Sequence, residues 1–195
     1  MGAPGVKWNM TEKSHLPEYC RVETIFRLTG GFNLVTSNLV AGSKVPVLAP
    51  IYIDKATRKA TVIRNVRVIE AVAAGSTTIK IAKGSLAAVG LLLGTGASGA
   101  VVSGIDKSSS SHDELTVEAA FGEVLELGAV LFEAGSVAGT EPVAKANFLN
   151  YAETLVEPGA AVDAVGQVYE IQTAKLKSPI SEKDKENLEG VYIYW

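Results

Sequence analysis

The chain is poor in the residues from which most catalytic and metal centres are built. It has one cysteine, Cys20, and two histidines, His15 and His112, in 195 residues. A lone cysteine closes no internal disulfide and offers no Cys-Cys pair to a metal, so Cys20 reads as a buried structural thiol. His15 has no partner at ligand spacing, which removes the usual zinc patterns. Aromatic residues make up only 7% and the net charge is −3. There is thus no polybasic footprint for nucleic acid. The first residues, MGAPGVKWNM, lack the apolar run of a secretory signal, and Val6 stands where a myristoylation pattern needs Ser or Thr. The expectation is a protein made in a cytoplasm.

What is present is small, apolar and glycine-rich. Hydrophobic residues account for 47% of the chain and 19 residues are glycine. A core of Ala and Val buries little area per side chain, so association with further copies is a ready source of stability. From about residue 34 the chain is a series of short β runs with turn signals every 8–12 residues. VPVLAPIYID and ATVIRNVRVIEAV flank the hairpin loop KATRK, and TIKIA, ELTVEAAF, LELGAVLFEAG and AVGQVYEI follow. Before them, Cys20, Val22, Thr24, Phe26 and Leu28 alternate with Arg21, Glu23 and Arg27, a half-buried strand. Near the end, Ser181 and Asp184 form a capping box for a short charged helix, Gly190 suits a left-handed terminator, and VYIYW is a last strand. The expected fold is mainly β: short antiparallel strands in a sandwich or barrel-like arrangement, with one short C-terminal helix. The expected organisation is an N-terminal arm over 1–33 and a β-rich domain over 34–195, with a possible subdivision near 135–145.

Three stretches imitate functional motifs. Gly94-Thr95-Gly96-Ala97-Ser98-Gly99 spells the G-x-G-x-x-G of a dinucleotide loop, but AVVSGIDKSSSS follows it instead of a long helix. An apolar β-hairpin with a glycine turn is the better reading. The twenty residues Leu86–Ile105 carry no charge and could match a bilayer in length, yet five are Gly and three are Ser or Thr. Burial against another strand or another subunit explains them as well as a membrane does. Ser108–Ser111, His112 and Asp113 are adjacent, whereas a hydrolytic triad converges from separate elements. The acids Glu70, Asp106, Glu118, Glu123 and Glu126 are scattered singly. No catalytic, cofactor-binding or metal-binding residue is assigned, and no cofactor is expected.

The order of segments carries more. Pro50-Ile51-Tyr52-Ile53-Asp54, Ile105-Asp106-Lys107-Ser108 with Asp113-Glu114-Leu115-Thr116-Val117, and Gly166-Gln167-Val168-Tyr169-Glu170 follow one another. This arrangement over roughly 35–195 resembles the phage head fiber proteins. The chain departs from that pattern at Gly90-Leu91 and Gly128-Ala129, where an ordinary Gly-Asp turn is replaced by a more apolar one, which suggests extra burial at a subunit contact. The resemblance implies a non-enzymatic structural protein, a homo-oligomer (trimer), on the capsid surface of a phage or prophage virion. Its implied partners are itself and the major capsid protein, not nucleic acid or a membrane, with synthesis in the bacterial host cytoplasm. Two other readings remain open. One is a carbohydrate- or surface-binding β module using Tyr151, Tyr169 or Trp195, and the other is a small β-rich enzyme.

Overall fold

A computed structural model describes residues 16–195. The protein is mostly β, with fourteen strands among the described residues and one α-helix. In chain order the strands are β1 (Arg21–Leu34), β2 (Lys44–Val45), β3 (Pro50–Asp54), β4 (Lys59–Val62), β5 (Val66–Arg67), β6 (Thr78–Ala82), β7 (Leu92–Gly94), β8 (Gly99–Asp106), β9 (His112–Val117), β10 (Val130–Glu133), β11 (Phe148–Asn150), β12 (Thr154–Leu155), β13 (Ala161–Ile171) and β14 (Val191–Tyr194). Helix α1 is Glu182–Asn187.

The strands form two rings and a ribbon. The first ring runs β1-β4-β3-β11-β13 and closes where β13 pairs with β1, while β14 adds beside the far half of β13. The second runs β5-β10-β7-β8-β9-β6 and closes through a bridge between Val68 and Ile81. Closure leaves few free strand edges, which suits short strands that bury little area each. Most pairs are antiparallel; β1–β4 and β13–β14 are parallel. β2 and β12 make the ribbon.

Each ring has its own core. Ile51, Ile53, Val62, Phe148 and Val162 fill the first. Ile79, Ile81, Leu91, Leu93, Val102, Leu115 and Leu131 fill the second. The core of the second ring is drawn entirely from one stretch, Val66 to Leu131, placed between β4 and β11 of the first. A third cluster, with Leu16, Leu149, Val165, Val168 and Ile171, packs the other side of β13 under the C-terminal segment. Cys20 belongs to it, and burial together with nearby Glu23 pushes its thiol up to about 11, which makes it a poor nucleophile.

Two sequence readings meet a physical obstacle. The alternation over Cys20–Leu28 does not survive, because β1 is bulged against β13: Arg21 faces Tyr169, but Phe26 already faces Gln167. Inside the bulge the Thr24 hydroxyl accepts the Tyr169 amide at 2.9 Å, replacing a ladder bond, and Phe26 is left outside. Gly190 is not left-handed; the helix ends with Leu188 in an extended conformation. Glycine is needed at 190 for close approach, since a Cβ there would lie 2.1 Å from the Gly166 carbonyl. The Ser181 capping box forms as read from sequence: its hydroxyl accepts the Asp184 amide at 3.1 Å, and its own amide donates to the Asp184 carboxylate at 2.9 Å.

Candidate functional site

The glycine motif is a hairpin. β7 and β8 pair from Leu92–Val101 to Gly94–Gly99, so the motif joins two strands and no helix follows. Its amides are also consumed locally: Thr95 Oγ1 accepts from Ala97 N at 3.1 Å and Ser98 N at 3.0 Å. The Thr95 and Ser98 hydroxyls both donate to Glu123, at 2.5 and 2.9 Å. A carboxylate therefore sits where a pyrophosphate would need positive potential. The glycines serve packing, because the 136–139 turn lies directly against them: a Cβ on Gly94 would meet the Gly139 carbonyl at 2.6 Å and one on Gly99 the Val137 carbonyl at 2.8 Å. The apolar segment is covered by its own chain. Leu91 and Leu93 lie in the second core, while Leu86 reaches into the first. The apolar turns at Gly90-Leu91 and Gly128-Ala129 have the same explanation, as Leu91 is buried in, and Ala129 packs against, that core.

The serine–histidine loop comes closer to a constellation than adjacency suggests. Ser111 Oγ lies 2.9 Å and Ser109 Oγ 3.2 Å from His112 Nδ1, because the loop folds back on itself. Both serines address the same ring nitrogen, and Asp113 does not join them. Its buried carboxylate pairs with Lys83 at 2.7 Å, and Lys83 also donates to the Lys107 and Ser109 carbonyls at 2.8 and 2.7 Å. The loop is thus pinned by a lysine rather than arranged for proton transfer from serine to histidine to aspartate.

The other candidates stay apart. Glu70 pairs with Lys80 at 2.7 Å, which holds its carboxyl low. Asp106 accepts the Ser108 amide at 2.8 Å, and hydrogen bonds from Ser108 hold it low as well. No group of three or more metal-ligating side chains occurs among the described residues, and His15 lies outside them. No helix among them is long and apolar enough to cross a membrane. Tyr151 lies under the Arg27 guanidinium, 4.8 Å from its ring centre, while Trp195 is exposed at the chain end.

The polar residues that matter most to the architecture sit where the two rings meet, and sequence reading missed them. Between β4 and β5, Arg64 grips Glu133 with two side-chain bonds, at 3.0 and 2.5 Å, and a backbone bond at 3.0 Å. Asn65, fully buried, donates to the Pro179 carbonyl at 2.8 Å and to Asp184 at 2.6 Å. Arg67 bonds the Thr173 and Ala174 carbonyls. A cleft of about 270 Å³ runs along this junction between Thr95, Ala129, Phe132 and Lys183. The only outward sign in the sequence is the polar triplet Arg64-Asn65 with Arg67 inside an otherwise apolar run.

Asp184 is the titrating member of this junction. Burial raises its pKa, opposed by hydrogen bonds from Ser181 and Asn65. The folded state therefore binds the proton more readily than the unfolded chain does. The associated stability is full below the ordinary carboxylate range and is lost as pH rises through the raised value. Asp184→Asn keeps an acceptor for Asn65 and Ser181 and removes that loss. Its melting temperature relative to wild type is expected to be higher at pH 7 than at pH 4. Asp184→Ala strands three buried donors and costs about 1–3 kcal/mol or more at either pH. Paired thermal melts at the two pH values check both; an Asp184→Asn offset that does not change with pH refutes the assignment.

Two closed β rings, dense local hydrogen bonding and a cross-linked junction define a β-rich protein whose polar side chains are spent on holding strands and loops together. Comparison with known families carries this further. The head fiber protein family of phages matches residues 3–193, nearly the whole chain, and the protein belongs to that family. No curated protein matches, and no solved structure matches.

Proposed function

We propose that the protein is a non-enzymatic head fiber or capsid decoration protein that assembles as a homotrimer on the outer surface of a phage capsid, bound to the major capsid protein. The observation that carries this is the family match over residues 3–193, which supports a structural role at the phage head. The local geometry is consistent with it. Glu123 occupies the phosphate-like turn at 94–99, and Asp113 is committed to Lys83. Small core side chains favour added burial through association. The protein is made in the bacterial host cytoplasm and acts on the virion.

The test is to purify virions with and without an intact gene and image the heads by cryo-electron microscopy. Projections on the capsid that vanish with the gene, and return when the purified protein is added, are expected. Heads identical in both preparations, with no binding of added protein, overturn the reading.

A further inference from the structure

At the margin of the first ring one strand has an open edge. β14 pairs with β13 and with no other described strand, and its residues face alternate sides. Trp195 spends its amide on the Ile171 carbonyl and its carbonyl on the Thr173 amide. By alternation along a strand, the main-chain groups of Tyr192 and Tyr194 point to the free side. Their rings turn into the cluster beneath α1, while Val191, Ile193 and Trp195 face the opposite way, 55%, 47% and 69% exposed.

Those three side chains extend a row that crosses the sheet. Phe26 on β1 faces Gln167 on β13, which faces Val191 on β14. Phe26, 63% exposed, is itself continuous with the first core. A Cβ on Gly166 would come 2.9 Å from Leu28 and 3.7 Å from both Phe26 and Phe148. The core of the first ring thus runs out onto the surface along this face. Phe26, Val191, Ile193 and Trp195 expose on the order of 400 Å² of largely apolar surface, close to the apolar share of one partner's side in a standard protein interface. A patch of this size matches the largest apolar patch an ordinary monomer carries, and such a patch is commonly a binding surface.

The rim points to the occupant. Arg21–Glu170 and Lys55–Glu189 are ion pairs closed within the chain, at 3.2 and 3.6 Å. These border charges are neutralised within the chain, so a second copy meets no net repulsion there, and the border offers no single-sign field to select an oppositely charged partner. Other exposed apolar residues differ. Val89 and Leu127, for example, lie on turns of the second ring beside Gly90 and Gly128, outside any strand.

We infer that the face formed by Phe26, Val191, Ile193 and Trp195, with the free edge of β14, is the surface on which a second copy of this chain docks. The inference rests on the self-assembly proposed above and names its contact. The occupant buries the apolar row and takes up the free amides of Tyr192 and Tyr194.

Sedimentation of the full chain tests it, using wild type, Ile193→Lys, Trp195→Ser and, as a control on the second ring, Leu127→Lys. Wild type and Leu127→Lys are expected to associate, while the two face variants dissociate at concentrations at least tenfold higher. Hydrogen exchange on wild type gives a reading independent of any variant: protection of the Tyr192 and Tyr194 amides should fall as the protein is diluted. A wild-type oligomer whose exchange at those amides does not change on dissociation, and which survives both face substitutions, overturns this surface and leaves self-assembly standing. A wild type that is monomeric at 100-fold the concentration used on virions overturns both. A monomer that binds heads through Trp195 shows the occupant to be capsid protein and refutes the second copy.

Discussion

Gly139→Ala should destabilise the protein by about 3–5 kcal/mol, lowering its melting temperature by roughly 10 °C. Two costs add at this position. Gly139 has a φ of +66°, in the left-handed region where a Cβ is strained. That Cβ would also stand 1.9 Å from the Ser98 carbonyl oxygen and 2.5 Å from the Gly99 amide, both backbone atoms that no rotamer change can move aside. The β7–β8 turn would have to leave the 136–139 turn, losing the bond from Gly96 N to the Gly139 carbonyl at 2.9 Å. Gly122→Ala separates the two costs. Gly122 has a φ of +76° with nothing near the added atom, so it should lose only the conformational part, about 1–2 kcal/mol. Denaturant unfolding of both variants gives the comparison. Equal losses would show that the contact between the turns is not tight.

Arg64→Ala should be comparably severe, at about 3–5 kcal/mol, because it leaves the Glu133 carboxylate buried without its partner. The side chains are only 12% and 8% exposed, so water cannot replace the guanidinium cheaply. The pair itself need not be strongly stabilising. Replacing both residues by leucine should recover most of the loss, since an apolar pair of similar volume avoids the desolvation cost of both ions. The backbone amide of Arg64, which also donates to Glu133, limits that recovery to within about 1 kcal/mol of wild type. Chemical denaturation of the two single variants and the double variant measures the coupling directly. A double variant as unstable as Arg64→Ala would show that the ion pair, and not merely its integrity, holds the junction.

Much of the fold was legible because local rules and global packing agree. Asp54 accepts from Ala56 and Thr57 and turns β3 into β4, as the KATRK loop suggests. Ile79 and Ile81 point inward together, as alternation in TIKIA requires. The capping box at Ser181 needed only its own four residues. What sequence could not supply is long-range. Whether Phe26 points in or out depends on a bulge set by Thr24 and its partner Tyr169, far away in the chain. The reach of Asn65 to Asp184 depends on two segments meeting across the ring boundary. Two of the motif-like stretches failed in the same way: each was spelled correctly but its polar atoms were already engaged. Thr95 had taken the turn amides, and Lys83 had taken Asp113.

The placement of the second ring within the first fixes an order of events during synthesis. Every strand of the β5–β10 ring lies between Val66 and Glu133, so its contacts close over short spans of chain. The first ring cannot close until β13 has been made, because β1 waits for its partner near the other end of the chain. A ribosome releasing this protein therefore exposes all strands of the second ring before β13 appears. β1 stays without β13 until the last third of the chain has left the exit tunnel.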